Sequence, residues 1–310
     1  MDAVPNKHFY EPHESVTTLR VFVKPSRTFS LPEFPGSMYR GALGHALLSR
    51  LCLCKDINTH RPDCLYAHIF EGYRRNNQDG IPAVIITAFE HSQRFSSHET
   101  FSFSIHFLDL SPLIQKLVIE ALELGLHSGL GKPAIPCKLT HCSTVKYAIP
   151  TDLKRLDIKL ASPWLIKCKG QPHTAKTFRI HDLLVGLAHR QRMIAEHFDI
   201  PLTPPHNDTI LTFADNLHVE SNLHDANWIR HSNRQQKRHP LIGVFGKMRV
   251  FSDEPFPEWF SELIVNGLVL HGGGKTALGL GALKIDFSNT TEGIGGHTHT
   301  LPFICSTRSA

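Results

Sequence analysis

The chain has 310 residues, 41% hydrophobic and 20% charged, with a formal charge of +5 and 22 histidines. That length accommodates two domains of about 100–200 residues each, and the composition excludes a disordered or fibrous chain. No run approaches the roughly 18 apolar residues of a membrane span, and no N-terminal stretch has the basic-then-apolar pattern of a signal peptide, so a soluble, cytoplasmic protein with no membrane partner is expected.

Seven cysteines without regular disulfide spacing fit a reducing compartment. The mild positive charge favours an anionic partner. Histidines that gain protons beside a polyanion add to that charge, which makes nucleic acid the best-matched class.

Taken in chain order, residues 16–24 ("VTTLRVFVK") alternate and carry β-branched side chains, so they read as a strand. A helix is predicted from Gly36 to Cys54, where Leu43, Leu47 and Leu51 recur every four residues beside Ala46. Two β-rich runs follow at 82–90 and 100–110, then a helix at 111–127 with Ser111 as N-cap and Pro112 in the first helical position. "SGLGKPAIPCKL" leads into a strand through Tyr147. The order is β-α-β-β-α-β, the ferredoxin-like (RRM-like) arrangement.

After a break near Pro150 the order repeats. A strand at 155–168 precedes a helix at 178–197 with Leu183, Leu184, Leu187 and Ile194 on one side; strands at 217–229 and 241–251, a helix at 257–271 and a last strand, "ALKIDF", follow. The predicted fold is α+β: two tandem ferredoxin-like domains, residues 1–150 and 151–287, each with a glycine-rich loop before its last strand, and a flexible tail at 288–310.

"HGGGKTALGLGALKI" (271–285) resembles a nucleotide loop only superficially. A P-loop needs a glycine five residues before Gly274, where Val269 stands, and must run from strand to helix rather than helix to strand. The dinucleotide fingerprint fails as well, because Gly279 and Gly281 are followed by Lys284 where a third glycine belongs. No nucleotide or other cofactor is expected. Two readings stay open: exposed amides at Gly273 and Gly274 that approach a phosphodiester while Lys275 supplies charge, or a tight connection that needs positive φ.

Arg230, His231, Arg234, Lys237, Arg238 and His239 fall within ten residues, as a phosphate track or as a solvated basic loop. Lys132, Lys138, Lys247 and Lys275 are secondary candidates. On the helix at 36–54, His45 lies about 200° round from Leu43, off the apolar stripe, with Ser49 about 40° further. Cys52, Cys54, His60 and Cys64 offer zinc-type donors, but Cys-x-Cys is not the usual pair, so no metal is assigned and Cys52 is expected to be buried in the helix. No Ser/His/Asp order and no H-E-x-x-H motif is present.

Duplicated ferredoxin-like units with glycine-rich loops resemble the RAMP superfamily of CRISPR-associated proteins, and more narrowly its repeat-processing endoribonucleases. The specific part is "WIRHSNRQQKRHPLIGVFGKMRV" (228–250) followed by "LVLHGGGKTALGLGALKI", which is similar to that family's Ser-x-Arg-Gln segment, Pro-Leu-x-Gly strand and glycine loop. "LASPWLIK", "FRIHDLLVGLAHRQRMIAEHF", "GSMYRGALGHALLSRLC" and "DCLYAHIFE" extend the likeness over most of residues 15–287.

The resemblance implies a metal-independent nuclease that cuts precursor CRISPR RNA within its repeats. The 2′-hydroxyl attacks the adjacent phosphate, leaving a 2′,3′-cyclic phosphate and a 5′-hydroxyl. It implies His45 as the group that moves the proton, with Tyr39 as a donor and Lys55 as a phosphate-stabilising cation. Tyr39 lies six positions from His45, so this pairing needs the helix start to bend. Retention on the 3′ repeat hairpin, and through it partnership with effector subunits, is implied too. The alternative is a non-catalytic RAMP subunit that grips the CRISPR RNA.

Overall fold

Leu19, Val21 and Val23 point inward and alternate with Arg20, Phe22 and Lys24, which is why this segment is extended. In the computed structural model, which describes residues 9–54, 59–72, 80–168, 170–232 and 237–286, it forms β1 (Val16–Pro25). Then follow α1 (Gly36–Leu51), β2 (Val84–Ala88), β3 (Phe101–Leu108), α2 (Pro112–Ser128) and β4 (Cys137–Thr144). The strands make one antiparallel sheet in the order β2-β3-β1-β4.

The second set is β5 (Arg155–Trp164), α3 (Ile180–Phe198), α4 (Asn207–Asp215), β6 (His218–Ser232), β7 (Lys237–Phe251), α5 (Glu258–Leu270) and β8 (Leu283–Asp286). Its antiparallel sheet runs β6-β7-β5-β8, again second, third, first and fourth strand of the unit. Two successive segments of this chain therefore fold with one strand order.

Over the described residues, 14–145 and 277–279 form one compact unit, and 9–13, 146–276 and 280–286 form the other. The start of the chain joins the second unit because Phe9 and Tyr10 pair with Pro150 and Ile149. Leu43 and Leu47 of α1, Leu122 and Leu126 of α2, and Phe101, Phe103 and Phe107 of β3 are fully buried in the first core. In the second, Trp164, Leu183, Leu184, Leu187 and Phe260 play this part. Each contributes about 1.5–3 kcal/mol by leaving water.

Local signals explain the helix ends. Ser111 accepts the Ile114 amide at 3.5 Å and Pro112 opens α2. At α3 the Asp182 carboxylate accepts the Arg179 amide at 2.8 Å.

Several boundaries differ from those predicted. α1 stops at Leu51, which leaves Cys52 as a half-buried C-cap rather than a residue inside the helix. β4 ends at Thr144 and β5 at Trp164. α4 was not legible: its nine residues, closely preceded by Pro201, Pro204 and Pro205, are too short to show a period, although Ile210 and Ala214 are buried. β6 and β7 each run 15 residues, through the basic segment that alternation did not mark as strand. Cross-strand backbone bonding sustains a ladder without apolar alternation. The expected tail at 288–310 lies outside the described residues.

Candidate functional site

α1 carries its buried residues at Tyr39, Leu43, Ala46 and Leu47, and His45 is exposed between them. Gly44, beside it, has no room for a Cβ because the Phe70 ring crosses there. That packing fixes the roll of the helix and holds the imidazole outward. Ser49 is exposed on the same side, but its Oγ donates to the Ala46 carbonyl at 3.0 Å.

Tyr39 belongs elsewhere. Its ring is fully buried, stacked on Phe103 with centroids 4.2 Å apart, and burial followed by the charge of Glu90 holds its pKa well above the ordinary value. Its hydroxyl has no hydrogen-bond partner among the described residues. The side chain fills core and does not reach a phosphate in solvent. Lys55 lies outside the described residues.

In the basic segment, Arg230 pairs with His239, His231 with Arg238 and Ser232 with Lys237 across the β6–β7 hairpin. Arg234 lies outside the described residues. Lys132 and Lys138 are exposed in the first unit, the former in a turn closed by the Leu130–Ile135 bridge and the latter on β4.

The glycine loop favours its conformational reading. Gly273, Gly279 and Gly281 have positive φ, as does the exposed Lys275. The Gly274 amide is spent on the Leu165 carbonyl at 2.7 Å, Gly272 donates to Gly281 at 3.0 Å and Gly281 to Pro163 at 3.0 Å. The expectation that Gly274 offers its amide to a phosphate is corrected by that bond; Gly273 and Lys275 lie beside it at the surface of the loop. The loop also encloses His271, fully buried, whose Nδ1 is 3.0 Å from the Leu280 carbonyl and whose pKa burial pushes down to about 3.

The sequence reading missed a feature of the second sheet. On β5, Leu156, Ile158 and Leu160 face the core, so Asp157 and Lys159 face away. Register then sets Asn222, Lys247, Lys159 and Lys284 in one row across β6, β7, β5 and β8. The row lines an open depression of about 500 Å³ together with Asp157, Glu220 and Arg249. Arg249 is held by Asp157 at 2.7 Å and Glu220 at 3.2 Å, which raise its pKa. Among the described residues Lys159 and Lys247 make no ion pair. Like charges directly opposite destabilise a sheet, so this row is better suited to an anion than to the fold.

Cys52, Cys54, His60 and Cys64 also come together, with one donor atom from each within 4.8 Å of the rest. The Arg61 amide, 3.3 Å from its sulfur, and then His60 lower the Cys54 thiol to about 7, while burial pushes Cys64 up to about 11.

The sequence family AF_1859_N, an N-terminal domain, matches residues 14–155. No curated protein matches the chain. Solved structures do. A Thermus thermophilus Cas6 in a product complex is 14% identical, with 87% of this chain and 99% of that one covered and a TM-score of 0.54. A Cas6-related protein from Pyrococcus furiosus is 12% identical, with 88% and 99% covered and a TM-score of 0.50. A chain of a partial Cas6-RT-Cas1–Cas2 complex is 13% identical with a TM-score of 0.57; 94% of this chain aligns with 48% of that longer one. The protein has the fold of these Cas6 structures. Among the described residues no helix is long and apolar enough to cross a membrane.

Proposed function

We propose that this protein is a repeat-processing endoribonuclease built of two tandem ferredoxin-like domains, which cuts precursor CRISPR RNA in the cytoplasm without a catalytic metal. The observation that carries the proposal is His45, an exposed imidazole on the first helix of a fold shared with Cas6 structures. Histidine suits proton transfer because it titrates near neutrality. His45 takes the proton from the 2′-hydroxyl next to the scissile phosphate. The new P–O2′ bond displaces the 5′-oxygen, which takes a proton from water as it leaves, and a 2′,3′-cyclic phosphate remains.

Phosphates of the repeat RNA are taken by Lys159, Lys247 and the β6–β7 segment with Arg230, His231, Lys237 and Arg238. Their recognition is electrostatic and weakens with salt. Lys55 supplies the cation at the scissile phosphate. The product stays on the 3′ repeat hairpin, through which the protein joins effector subunits.

The test is incubation with the repeat RNA of its own locus, with and without EDTA, wild type beside His45→Ala, followed by analysis of the product ends. Cutting in EDTA that leaves a cyclic phosphate and is lost only in the variant is the expected result. Tight binding without cutting by wild type overturns the enzyme in favour of an RNA-gripping subunit. Cutting by both proteins moves the proton transfer to another residue.

A further inference from the structure

The loop after α1 has little apolar material with which to hold itself. Leu53 is 88% exposed, yet Cys52, Cys54, His60 and Cys64 turn inward to one point. Thiols are weak hydrogen-bonding groups, so mutual hydrogen bonding does not account for the convergence of three of them with an imidazole.

The distances match another account. With Zn–S near 2.3 Å and Zn–N near 2.0–2.1 Å, a tetrahedron has S···S edges of about 3.8 Å and S···N edges of about 3.6 Å. Cys52 and Cys64 sulfurs are 3.9 Å apart, and His60 Nδ1 is 3.4 Å and 3.6 Å from them. The Arg61 amide points at the Cys54 sulfur, as suits a thiolate acceptor. On the far side of the imidazole, Nε2 lies 3.5 Å from a Glu71 carboxylate oxygen, and the other oxygen of that carboxylate accepts the Tyr66 hydroxyl at 3.3 Å. A carboxylate behind a ligating histidine fixes its tautomer and strengthens it as a donor. It also gives the buried Nε2–H a direction in which to donate.

The geometry points to a structural zinc site formed by Cys52, Cys54, His60 and Cys64. Three thiolates with one imidazole select zinc among the common divalent ions. Four protein donors close the coordination sphere, so the metal braces the loop that follows the helix bearing His45 and takes no part in cutting. Binding releases the thiol protons and leaves a complex of net charge −1, three thiolates against one Zn²⁺. The spacing, C-x-C-x5-H-x3-C, is not the usual zinc pair, which is why spacing alone did not assign it.

The test is elemental analysis of the full untagged chain, followed by Co²⁺ reconstitution after chelation; neither readout needs RNA or cleavage. One zinc per chain is expected, as is a cobalt spectrum with the visible bands of a tetrahedral site and a thiolate charge-transfer band. Cys54→Ser weakens that band in step with the loss of one thiolate, and a Cys54→Ser/Cys64→Ser chain holds no metal. His60→Cys keeps the metal and strengthens the band, a gain that misfolding cannot imitate. Cys168→Ser, at an exposed cysteine outside the cluster, changes nothing. A folded wild type that carries no zinc and takes up no cobalt overturns the proposal, as does a Cys52–Cys64 disulfide found by mass spectrometry. Retention of metal by the doubly substituted chain overturns the assignment of these ligands.

Discussion

His271 gives the sharpest stability prediction. Its imidazole is fully buried at the end of α5, and its Nδ1–H donates to the Leu280 carbonyl at 3.0 Å, so the folded protein holds the ring neutral. Burial, with the charge of Arg190 adding to it, pushes the folded pKa down to about 3 against an ordinary value of 6.5; the bond to Leu280 opposes the shift only partly. Below pH 6.5 the unfolded chain therefore binds a proton that the folded one refuses. The contribution of the neutral ring is complete above that pH and is lost as pH falls toward 3, with a slope of up to about 1.4 kcal/mol per pH unit. Between pH 8 and pH 5 the loss comes to about 2 kcal/mol.

His271→Asn removes the titration while placing an amide where Nδ1 stood, and it leaves a non-glycine residue at the same φ of 60° and ψ of −176° that the histidine already adopts, so the backbone strain is common to both proteins. All three tryptophans, Trp164, Trp228 and Trp259, belong to the second unit, so urea unfolding followed by their fluorescence reports that unit. The variant is less stable at pH 8, having lost part of the ring. The gap from wild type closes by about 2 kcal/mol on going to pH 5. Parallel profiles, with a gap that pH does not change, would refute the buried neutral histidine.

Replacing Lys159 and Lys247 together by glutamine flattens the dependence of log K on log salt for repeat RNA by about 1.4–1.8, roughly 0.7–0.9 for each phosphate released. Removing facing like charges leaves the fold as stable as before or slightly more so; an unchanged salt slope places the phosphates elsewhere. Tyr39→Phe keeps full cleavage and gains up to about 1 kcal/mol, because it deletes a buried hydroxyl with no partner among the described residues. Loss of cutting by a folded Tyr39→Phe protein would restore that hydroxyl as a donor. Gly281→Ala costs about 2 kcal/mol or more, since its φ is 71° and a Cβ there meets the Gly272 carbonyl. An unaltered melting temperature would show that the loop is not locked as described.

The element order was legible because the core positions keep their periods: Leu43 and Leu47 in α1, Leu183, Leu184 and Leu187 in α3, and alternate residues of β1 and β5 are all buried. Binding features depended on what period cannot carry. The row of Lys247, Lys159 and Lys284 joins residues from three separate strands, and only register brings them together. The donors at 52, 54, 60 and 64 fit no familiar spacing and meet only once α1 has stopped at Leu51. The glycine loop had two readings because glycine serves a close approach to phosphate and a positive φ equally well. The bond from the Gly274 amide to the Leu165 carbonyl decides between them there.

The two units share one strand order, so what separates their roles lies in the outward positions of their sheets. In the first, those positions hold Thr18, Ser102, Ser104 and His106, all buried, with the His106 ring nitrogens 2.8 Å and 2.7 Å from the hydroxyls of Thr18 and Thr87. The His106 ring is satisfied by its two hydroxyls and Ser102 by Arg20 and Glu90, so these side chains can be covered at lower cost than bare ions, although Ser104 Oγ has no partner among the described residues. In the second, the same positions hold Asp157, Lys159, Lys247 and Arg249, and burying unpaired lysines there would cost several kcal/mol per ion. That sheet face must stay wet or meet a polyanion.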